Sequence, residues 1–179
     1  LFLIIGRMFT FVAETISDNP SNIAFAVNLM SGMCAAFTAM FVCWSTIILS
    51  KLALVGRDAV VDNEQKIPLA ASGLVAGLAT AFSTSIWFSA VEGEVYAMST
   101  FFTALTVWAV IKWYNLPDKP ESDRWIVFAV FAAALSTGVH LLSLLTFPAL
   151  ALFYYFKKYK DHTFMGLVFA SGVGVAMIV

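Results

Sequence analysis

The chain has 179 residues, of which 61% are hydrophobic and 12% are charged. Soluble domains carry roughly 25% charged and about 45–50% apolar residues, so the composition argues against a water-soluble globular protein. Ten basic and eleven acidic residues give a net charge of -1, which excludes the strongly basic surface of a nucleic-acid-binding protein. We therefore expect an integral membrane protein whose surroundings are the lipid bilayer.

Uncharged stretches define the segments that can cross a bilayer. Runs without Asp, Glu, Lys or Arg occupy residues 19–50, 67–91, 95–111, 125–156 and 162–179. A crossing needs about 20 apolar residues of helix, and these runs lack the alternation of lipid-facing strands. The sequence thus predicts an all-α, polytopic transmembrane helical bundle. We expect helices near residues 1–16, 23–49, 68–90, 95–114, 125–137, 139–156 and 163–179.

The two ends of the sequence indicate a fragment. The chain begins without Met and ends inside an apolar run. We therefore expect residues 1–179 to form an incomplete part of one transmembrane domain, with portions missing at both ends.

Basic residues are concentrated in three loops. Those loops carry Lys51, Arg57, Lys66, Lys112, Lys119, Arg124, Lys157, Lys158 and Lys160. Because cytoplasmic loops retain Lys and Arg, we place all three in the cytoplasm. The opposite side then carries Glu14, Asp18, Glu92 and Glu94, with Arg7 as its basic exception.

The run at 125–156 has basic residues at both ends and must therefore cross twice or turn back. One helix of this length would extend about 48 Å at ~1.5 Å per residue, which exceeds a ~30 Å apolar core. Residues 136–138 (Ser-Thr-Gly) offer a break because Gly tolerates turn conformations, and Pro148 is expected to kink the second leg. His140 would then lie beside a watery cavity, on the same side as the acidic pair at 92–94.

Two further patterns concern packing and the membrane interface. Gly73 and Gly77 form a small-xxx-small pair that favours close contact between helices. An interfacial aromatic belt is expected around the loop at 115–120, formed by Trp108, Trp113, Tyr114 and Trp125.

The acidic pair is the most informative candidate for chemistry. Glu92 and Glu94 lie one residue apart between two apolar helices, and Gly93 is expected to permit a tight turn. The pair could ligate a divalent cation through hard oxygen atoms, or accept hydrogen bonds from sugar hydroxyls. The pair could equally have no function beyond solvation, because any short membrane loop needs polar residues. Two carboxylates at the edge of apolar helices, without a basic partner in the loop, favour a function.

Arg7 and His140 each allow two interpretations. Arg7 interrupts an apolar first helix together with Glu14, and its guanidinium could bind a lipid phosphate or simply reach the headgroups. His140 is either a ligand of substrate or phosphate, or a buried hydrogen-bonded histidine, which is the simpler interpretation.

Several stretches resemble a known family. They are 86–105, which contains Trp-Phe-Ser-Ala-Val-Glu-Gly-Glu-Val-Tyr-Ala-Met, followed by 122–125 and 135–142. They resemble a bacterial family of multi-spanning membrane proteins that is similar to the eukaryotic plexin-type protein O-mannosyltransferases, within the GT-C glycosyltransferases. The resemblance covers essentially the whole chain. It implies transfer of a sugar, expected to be mannose, from a polyprenyl-phosphate donor to a protein hydroxyl or a glycan, on the periplasmic side of a bacterial inner membrane.

The resemblance also implies roles for individual residues. Glu92 and Glu94 match the second external acidic site, where they would orient the sugar or hold a divalent cation. The residues expected to bind substrate are Arg7, Tyr96 and His140. The general base is expected in a loop upstream of Leu1. The implied reaction is an inverting displacement in which the acceptor oxygen attacks the anomeric carbon and lipid phosphate leaves.

Two other classes of protein remain open. A transporter also combines a broken helix with ionisable residues at a cavity, but it should show two halves of matching pattern, which this sequence lacks. A non-catalytic membrane subunit would explain the helices and leave Glu92, Glu94 and His140 incidental. No P-loop, dinucleotide fingerprint or His-Glu-x-x-His motif favours a soluble enzyme.

Overall fold

The computed structural model describes residues 1–16 and 19–178, and this part of the chain is helical without strands, as the sequence predicts. Its α-helices are α1 Phe2–Ile16, α2 Pro20–Leu54, α3 Asn63–Ala81, α4 Thr84–Val91, α5 Val95–Asn115, α6 Arg124–Thr137, α7 Thr146–Lys158 and α8 Phe164–Ala176. Short 3₁₀ segments, Pro120–Ser122 and Leu141–Leu145, precede α6 and α7. The acidic side predicted from the sequence also includes Asp18, which lies outside the described residues.

Helices α2 and α5 form the centre of the bundle and pack against each other along their length. Both are long and apolar enough to cross a membrane. Helix α2 begins at Asn19, whose side chain accepts a hydrogen bond from the Ser21 N–H (3.0 Å), and Pro20 occupies the first helical position. Its 35 residues correspond to about 52 Å at ~1.5 Å per residue, more than a ~30 Å apolar core requires.

The segment expected as one helix at 68–90 is two helices, α3 and α4, bent by 57°. Hydroxyl groups at the bend donate to main-chain carbonyls: Thr80 to Ala76 (2.8 Å) and Ser83 to Thr80 (2.9 Å). Such local bonds compete with the helical ladder, and they explain a break that contains neither Gly nor Pro. Taken together, the bent pair is a third candidate span among the described residues.

Gly73 and Gly77 bring α3 into close contact with α2, as the small-xxx-small pair predicts. A Cβ on Gly73 would lie 2.7 Å from the carbonyl oxygen of Cys43, and one on Gly77 would lie 3.0 Å from the Cys43 Cβ. Any larger side chain at these positions would push the two helices apart, so the backbones approach as closely as glycine allows.

The turn after α6 does not use the conformational freedom of glycine, contrary to our expectation. Gly138 has φ -73° and ψ -6°, which is right-handed geometry that any residue adopts. The helix ends by tightening instead, because the N–H groups of Val139 and His140 both donate to the carbonyl of Ser136 (2.9 and 3.0 Å).

Pro148 lies in the first turn of a helix and does not kink one, contrary to the kink expected in the second leg of the 125–156 run. It is the third residue of α7, where a missing N–H costs little because the first turn has no intrahelical acceptors. The leg expected at 139–156 is therefore a 3₁₀ segment followed by α7. Gly174 of α8 packs on this turn, since a Cβ there would overlap the Cα of Pro148.

The basic loops gather at one end of the bundle, which we call the basic end. The Nη2 of Arg57 and the Nζ of Lys157 both donate to the carbonyl of Leu116, just after α5 (2.7 and 3.1 Å). These cations satisfy a carbonyl at the helix C-terminus and complement its dipole. The α4–α5 turn and the turn after α6 lie at the opposite end, which we call the acidic end.

Two apolar clusters stabilise these ends. The cluster nearer the basic end joins α5, α6 and α7 through Ala109, Val110, Ile111, Trp113, Ala129, Ala133, Phe147 and Leu150. The cluster nearer the acidic end joins α2 and α5 through Met30, Met98 and Phe102, with residues of α1 and Val139 packed against it. The second cluster fixes the segments that form the candidate site.

Candidate functional site

An open cleft of about 550 Å³ lies at the acidic end, and we call it the acidic-end cleft. It is lined by residues 1–3, at the start of α1, by residues 93–96, and by residues 138–139. Three segments that are distant in sequence therefore meet there. The backbone nitrogen of Leu1 donates to the carbonyl of Gly138 (3.1 Å), which ties α1 to the turn after α6.

The acidic pair forms the turn between α4 and α5. Glu92 ends α4, Glu94 begins α5, and the Glu94 N–H donates to the Glu92 carbonyl (2.8 Å). Gly93 is not in the left-handed region, which corrects the expected reason for a glycine here. Glycine is needed here because there is no room for a side chain: a Cβ on Gly93 would lie 2.9 Å from Val27 Cγ1 and 3.2 Å from Asn28 Oδ1. The turn therefore rests directly on α2.

Both carboxylates are exposed and available as acceptors. The ion pairs among the described residues use other acids, namely Arg7 with Glu14, and Lys158 with Asp118 and Asp123. Glu94 lines the cleft, whereas Glu92 stands beside it at the end of α4. An ionised carboxylate accepts hydrogen bonds only, so Glu94 suits a ligand rich in hydroxyl donors.

Tyr96 lines the cleft, and His140, which is not among the lining residues, packs against its ring. Their ring centroids are 5.6 Å apart with the planes at 46°, Tyr96 is 49% exposed, and His140 is half-buried. Tyr96 belongs to the first turn of α5 and lines the cleft beside Glu94. A phenol and an imidazole can both donate to a phosphate or a sugar oxygen, so this pair adds donors next to the acceptor.

Buried serines connect the two elements that carry Tyr96 and His140, a feature that our sequence reasoning missed. The Ser136 hydroxyl donates to Ser143 Oγ, which lies 3.3 Å from Ser99 Oγ. All three side chains are buried, and the Ser143 N–H donates to the His140 carbonyl (3.2 Å). Small hydroxyl residues inside apolar helices are the sequence signal that could have revealed this contact.

Arg7 does not line the acidic-end cleft. Its Nη1 lies 2.5 Å from Glu14 Oε1 and 3.2 Å from the Thr10 hydroxyl, and the side chain is 63% exposed. Helix α1 runs through both residues, as predicted for the helix near residues 1–16, and its apolar surface is interrupted where Arg7 and Glu14 pair on one face. A role for Arg7 in donor binding stays a prediction.

The described residues do not supply a complete metal site. No group of three or more His, Cys, Asp or Glu side chains comes together within residues 1–16 and 19–178. Glu92 and Glu94 offer two carboxylates, whereas Ca²⁺ takes about 6–8 oxygen ligands and Mg²⁺ about six. The divalent cation expected from the sequence stays a prediction.

Comparison with known proteins identifies one family. The family model for the N-terminal domain of the protein O-mannosyl-transferase TMEM260 matches residues 1–163. Comparisons with curated proteins and with solved structures gave no significant match. The matched region contains every segment that lines the acidic-end cleft.

Proposed function

Since this chain belongs to the family defined by the N-terminal domain of the protein O-mannosyl-transferase TMEM260, we propose that it forms the donor-binding part of a membrane glycosyltransferase. The sugar is mannose, the donor is a polyprenyl-phosphate sugar, and the acceptor is a Ser or Thr hydroxyl of a protein. The observation that carries this proposal is that Glu94 and Tyr96 line one open cleft, with the His140 ring packed against that of Tyr96.

The size and composition of the cleft support a small polar ligand. Its volume of about 550 Å³ lies within the ~300–1,000 Å³ range of small-molecule sites. The Glu94 carboxylate and the Tyr96 phenol line the cleft, and with the His140 imidazole next to Tyr96 they offer acceptors for sugar hydroxyls and donors for a phosphate. A hexose attached to a phosphate needs both kinds of group in one place.

The proposed reaction is an inverting displacement. A base removes the proton of the acceptor hydroxyl, and the hydroxyl oxygen forms a bond to the anomeric carbon of the sugar. The bond between that carbon and the phosphate oxygen breaks, and polyprenyl phosphate leaves with the bonding electron pair. We assign the base to a loop that precedes Leu1, following the family resemblance.

In this mechanism the described residues bind and orient the donor. The carboxylate of Glu94, with Glu92 beside it, accepts hydrogen bonds from sugar hydroxyls and so fixes the anomeric carbon relative to the acceptor. Tyr96 and His140 donate to the phosphate and stabilise the negative charge that develops as it leaves. The buried serines keep the two rings together.

The distribution of charge supports a non-cytoplasmic site. Basic residues of three loops gather at the basic end, with Arg57 and Lys157 on the Leu116 carbonyl. The positive-inside rule assigns that end to the cytoplasm, and the acidic-end cleft then opens on the opposite side. In a bacterium this would be the periplasmic face of the inner membrane.

The test is sugar transfer by the full-length protein in proteoliposomes, with polyprenyl-phosphate-mannose and a Ser/Thr acceptor peptide. We expect Glu94→Gln to lower transfer by about tenfold or more, because a hydrogen bond to a charged group contributes roughly 1.5–3 kcal/mol and ~1.4 kcal/mol is tenfold. Glu121→Gln is the matched control, because Glu121 is exposed on the 3₁₀ segment before α6. It should transfer like the wild type.

Two results would count against the proposal. Normal transfer by Glu94→Gln would remove this carboxylate from the site while leaving the activity in place. Absence of glycopeptide with the inserted, full-length wild-type protein would reject sugar transfer and favour a transporter or a non-catalytic subunit.

A further inference from the structure

A second, smaller depression lies between α2 and α5 near the basic end, and we call it the α2–α5 groove. Its volume is about 280 Å³. The apolar walls are Trp44, Ile47 and Ile48 of α2 and Trp108 of α5, and Lys112 and Asn115 lie at its polar end. The groove is thus lined by the two helices that are each long and apolar enough to cross a membrane.

Lys112 is held at the groove by aromatic rings. Its Nζ lies 4.7 Å from the centroid of Trp108 and 3.8 Å from that of Trp125. Ring faces attract a cation, but they carry no net charge that could neutralise it. The aromatic rings therefore hold the Lys112 ammonium in place without neutralising its positive charge.

Two more cations converge on the same end of the groove through residues that line it. Lys51 Nζ is 3.5 Å from Asn115 Oδ1, and Arg57 Nη2 donates to the carbonyl of Leu116 (2.7 Å). The Nε–H of Arg57 is buried and finds no acceptor among the described residues. A donor of this kind costs free energy until an acceptor reaches it.

No carboxylate of the described residues forms an ion pair with Lys51, Arg57 or Lys112. Two acids near this end, Asp118 and Asp123, form their ion pairs with Lys158, whose hydrogen bond lowers the pKa of Asp118, although the charge of Arg57 also helps to lower it. Lys51, Arg57 and Lys112 therefore reach this end of the groove without a paired carboxylate, and an anionic group with several oxygen atoms would supply the counter-charge.

We propose that the α2–α5 groove binds an anionic phospholipid of the surrounding bilayer. The phosphate contacts Lys51, Arg57 and Lys112, and an acyl chain lies along the apolar walls. A lipid fits because charge and hydrocarbon are required side by side: a free anion would leave the Trp44 and Trp108 faces uncovered. Basic pockets between membrane helices bind anionic headgroups in this manner, and aromatic side chains mark the same depth.

Native mass spectrometry of the full-length protein in neutral detergent tests this site. The protein is titrated with palmitoyl-oleoyl phosphatidylglycerol, with phosphatidylcholine of the same chains, and with inorganic phosphate. We expect phosphatidylglycerol to bind more tightly than phosphatidylcholine. Lys112→Gln should lower the association constant for phosphatidylglycerol about fivefold, which corresponds to roughly 1 kcal/mol per basic residue.

Control variants separate a built site from general surface charge. Lys112→Arg keeps the charge and should bind within about twofold of the wild type. Lys119→Gln removes one exposed charge from the next loop and should also leave binding within about twofold. If Lys112→Gln fails to fold, Asn115→Asp replaces it: a carboxylate beside Lys51 should abolish the preference for phosphatidylglycerol.

Several outcomes would overturn the proposal. One is equal binding of phosphatidylglycerol and phosphatidylcholine by the wild type. Another is an equal loss of binding in Lys119→Gln and Lys112→Gln, since that would mean diffuse attraction. Competition by inorganic phosphate at the same concentration as the lipid would assign the site to a free anion.

Discussion

Replacing Gly93 by Ala should displace the α4–α5 turn from α2. The new Cβ would lie 2.9 Å from Val27 Cγ1, well inside the ~3.5–4.0 Å of a normal carbon–carbon contact, and would make a tight carbon–oxygen contact of 3.2 Å with Asn28 Oδ1. Overpacking of this kind costs roughly 1–3 kcal/mol. Because Glu94 follows directly, the same displacement moves its carboxylate relative to the acidic-end cleft, and we expect sugar transfer to fall together with stability.

Thermal unfolding of the full-length protein in detergent measures the stability term, and the transfer assay measures the effect on the cleft. Gly172→Ala in α8 is the matched control, because a Cβ there meets no atom within 4 Å and Ala is the better helix former. Val27→Ala removes the methyl group that clashes, so the double variant should recover part of the loss through a coupling of about 1 kcal/mol.

If Gly93 is required because α2 lies so close to it, two results must hold. Gly93→Ala must be less stable than Gly172→Ala, and Val27→Ala must partly rescue it. A Gly93→Ala protein with wild-type stability and transfer would refute the argument, as would strictly additive effects of the two substitutions.

Two further substitutions test the packing around the site. Ser143→Ala should destabilise the protein by roughly 1–3 kcal/mol in thermal unfolding, because it leaves the buried hydroxyls of Ser99 and Ser136 without their shared partner; an effect no larger than that of exposed Ser85→Ala would contradict this. Gly73→Ala should cost about 3 kcal/mol, at the upper end of the overpacking range, because its Cβ would meet a main-chain carbonyl at 2.7 Å that cannot rotate away. Equal stability of Gly73→Ala and Gly172→Ala would disprove that close contact.

Features set by composition and short-range pattern could be predicted from the sequence. The all-helical class follows from long uncharged runs, and Gly73 and Gly77 predict a close helix contact, whose partner α2 only the structure identifies. The gathering of basic loops at one end follows from a general rule of membrane topology. Each of these depends on one segment or one pair, so no knowledge of the tertiary fold is needed.

Features that depend on packing between distant segments could not be predicted. Gly93 is required by the proximity of α2 and not by its own backbone conformation, and Gly138 has an ordinary conformation. The bend between α3 and α4 comes from hydroxyl groups of Thr80 and Ser83, whose competition with the helical ladder is weak and depends on context. The helix near residues 1–16 was predicted, but the ion pair of Arg7 with Glu14 within it was not, because the side chain of Arg7 was expected to face the membrane surface.

The most direct measurement of donor binding at the acidic-end cleft is photo-crosslinking. A benzophenone amino acid replaces Leu3, which lines the cleft and is exposed, in the full-length protein, and in a second protein it replaces Tyr159, which is exposed just after α7. Irradiation with labelled polyprenyl-phosphate-mannose should attach the donor at position 3 and leave position 159 unlabelled. Labelling at position 159 without labelling at position 3 would contradict donor binding at the acidic-end cleft.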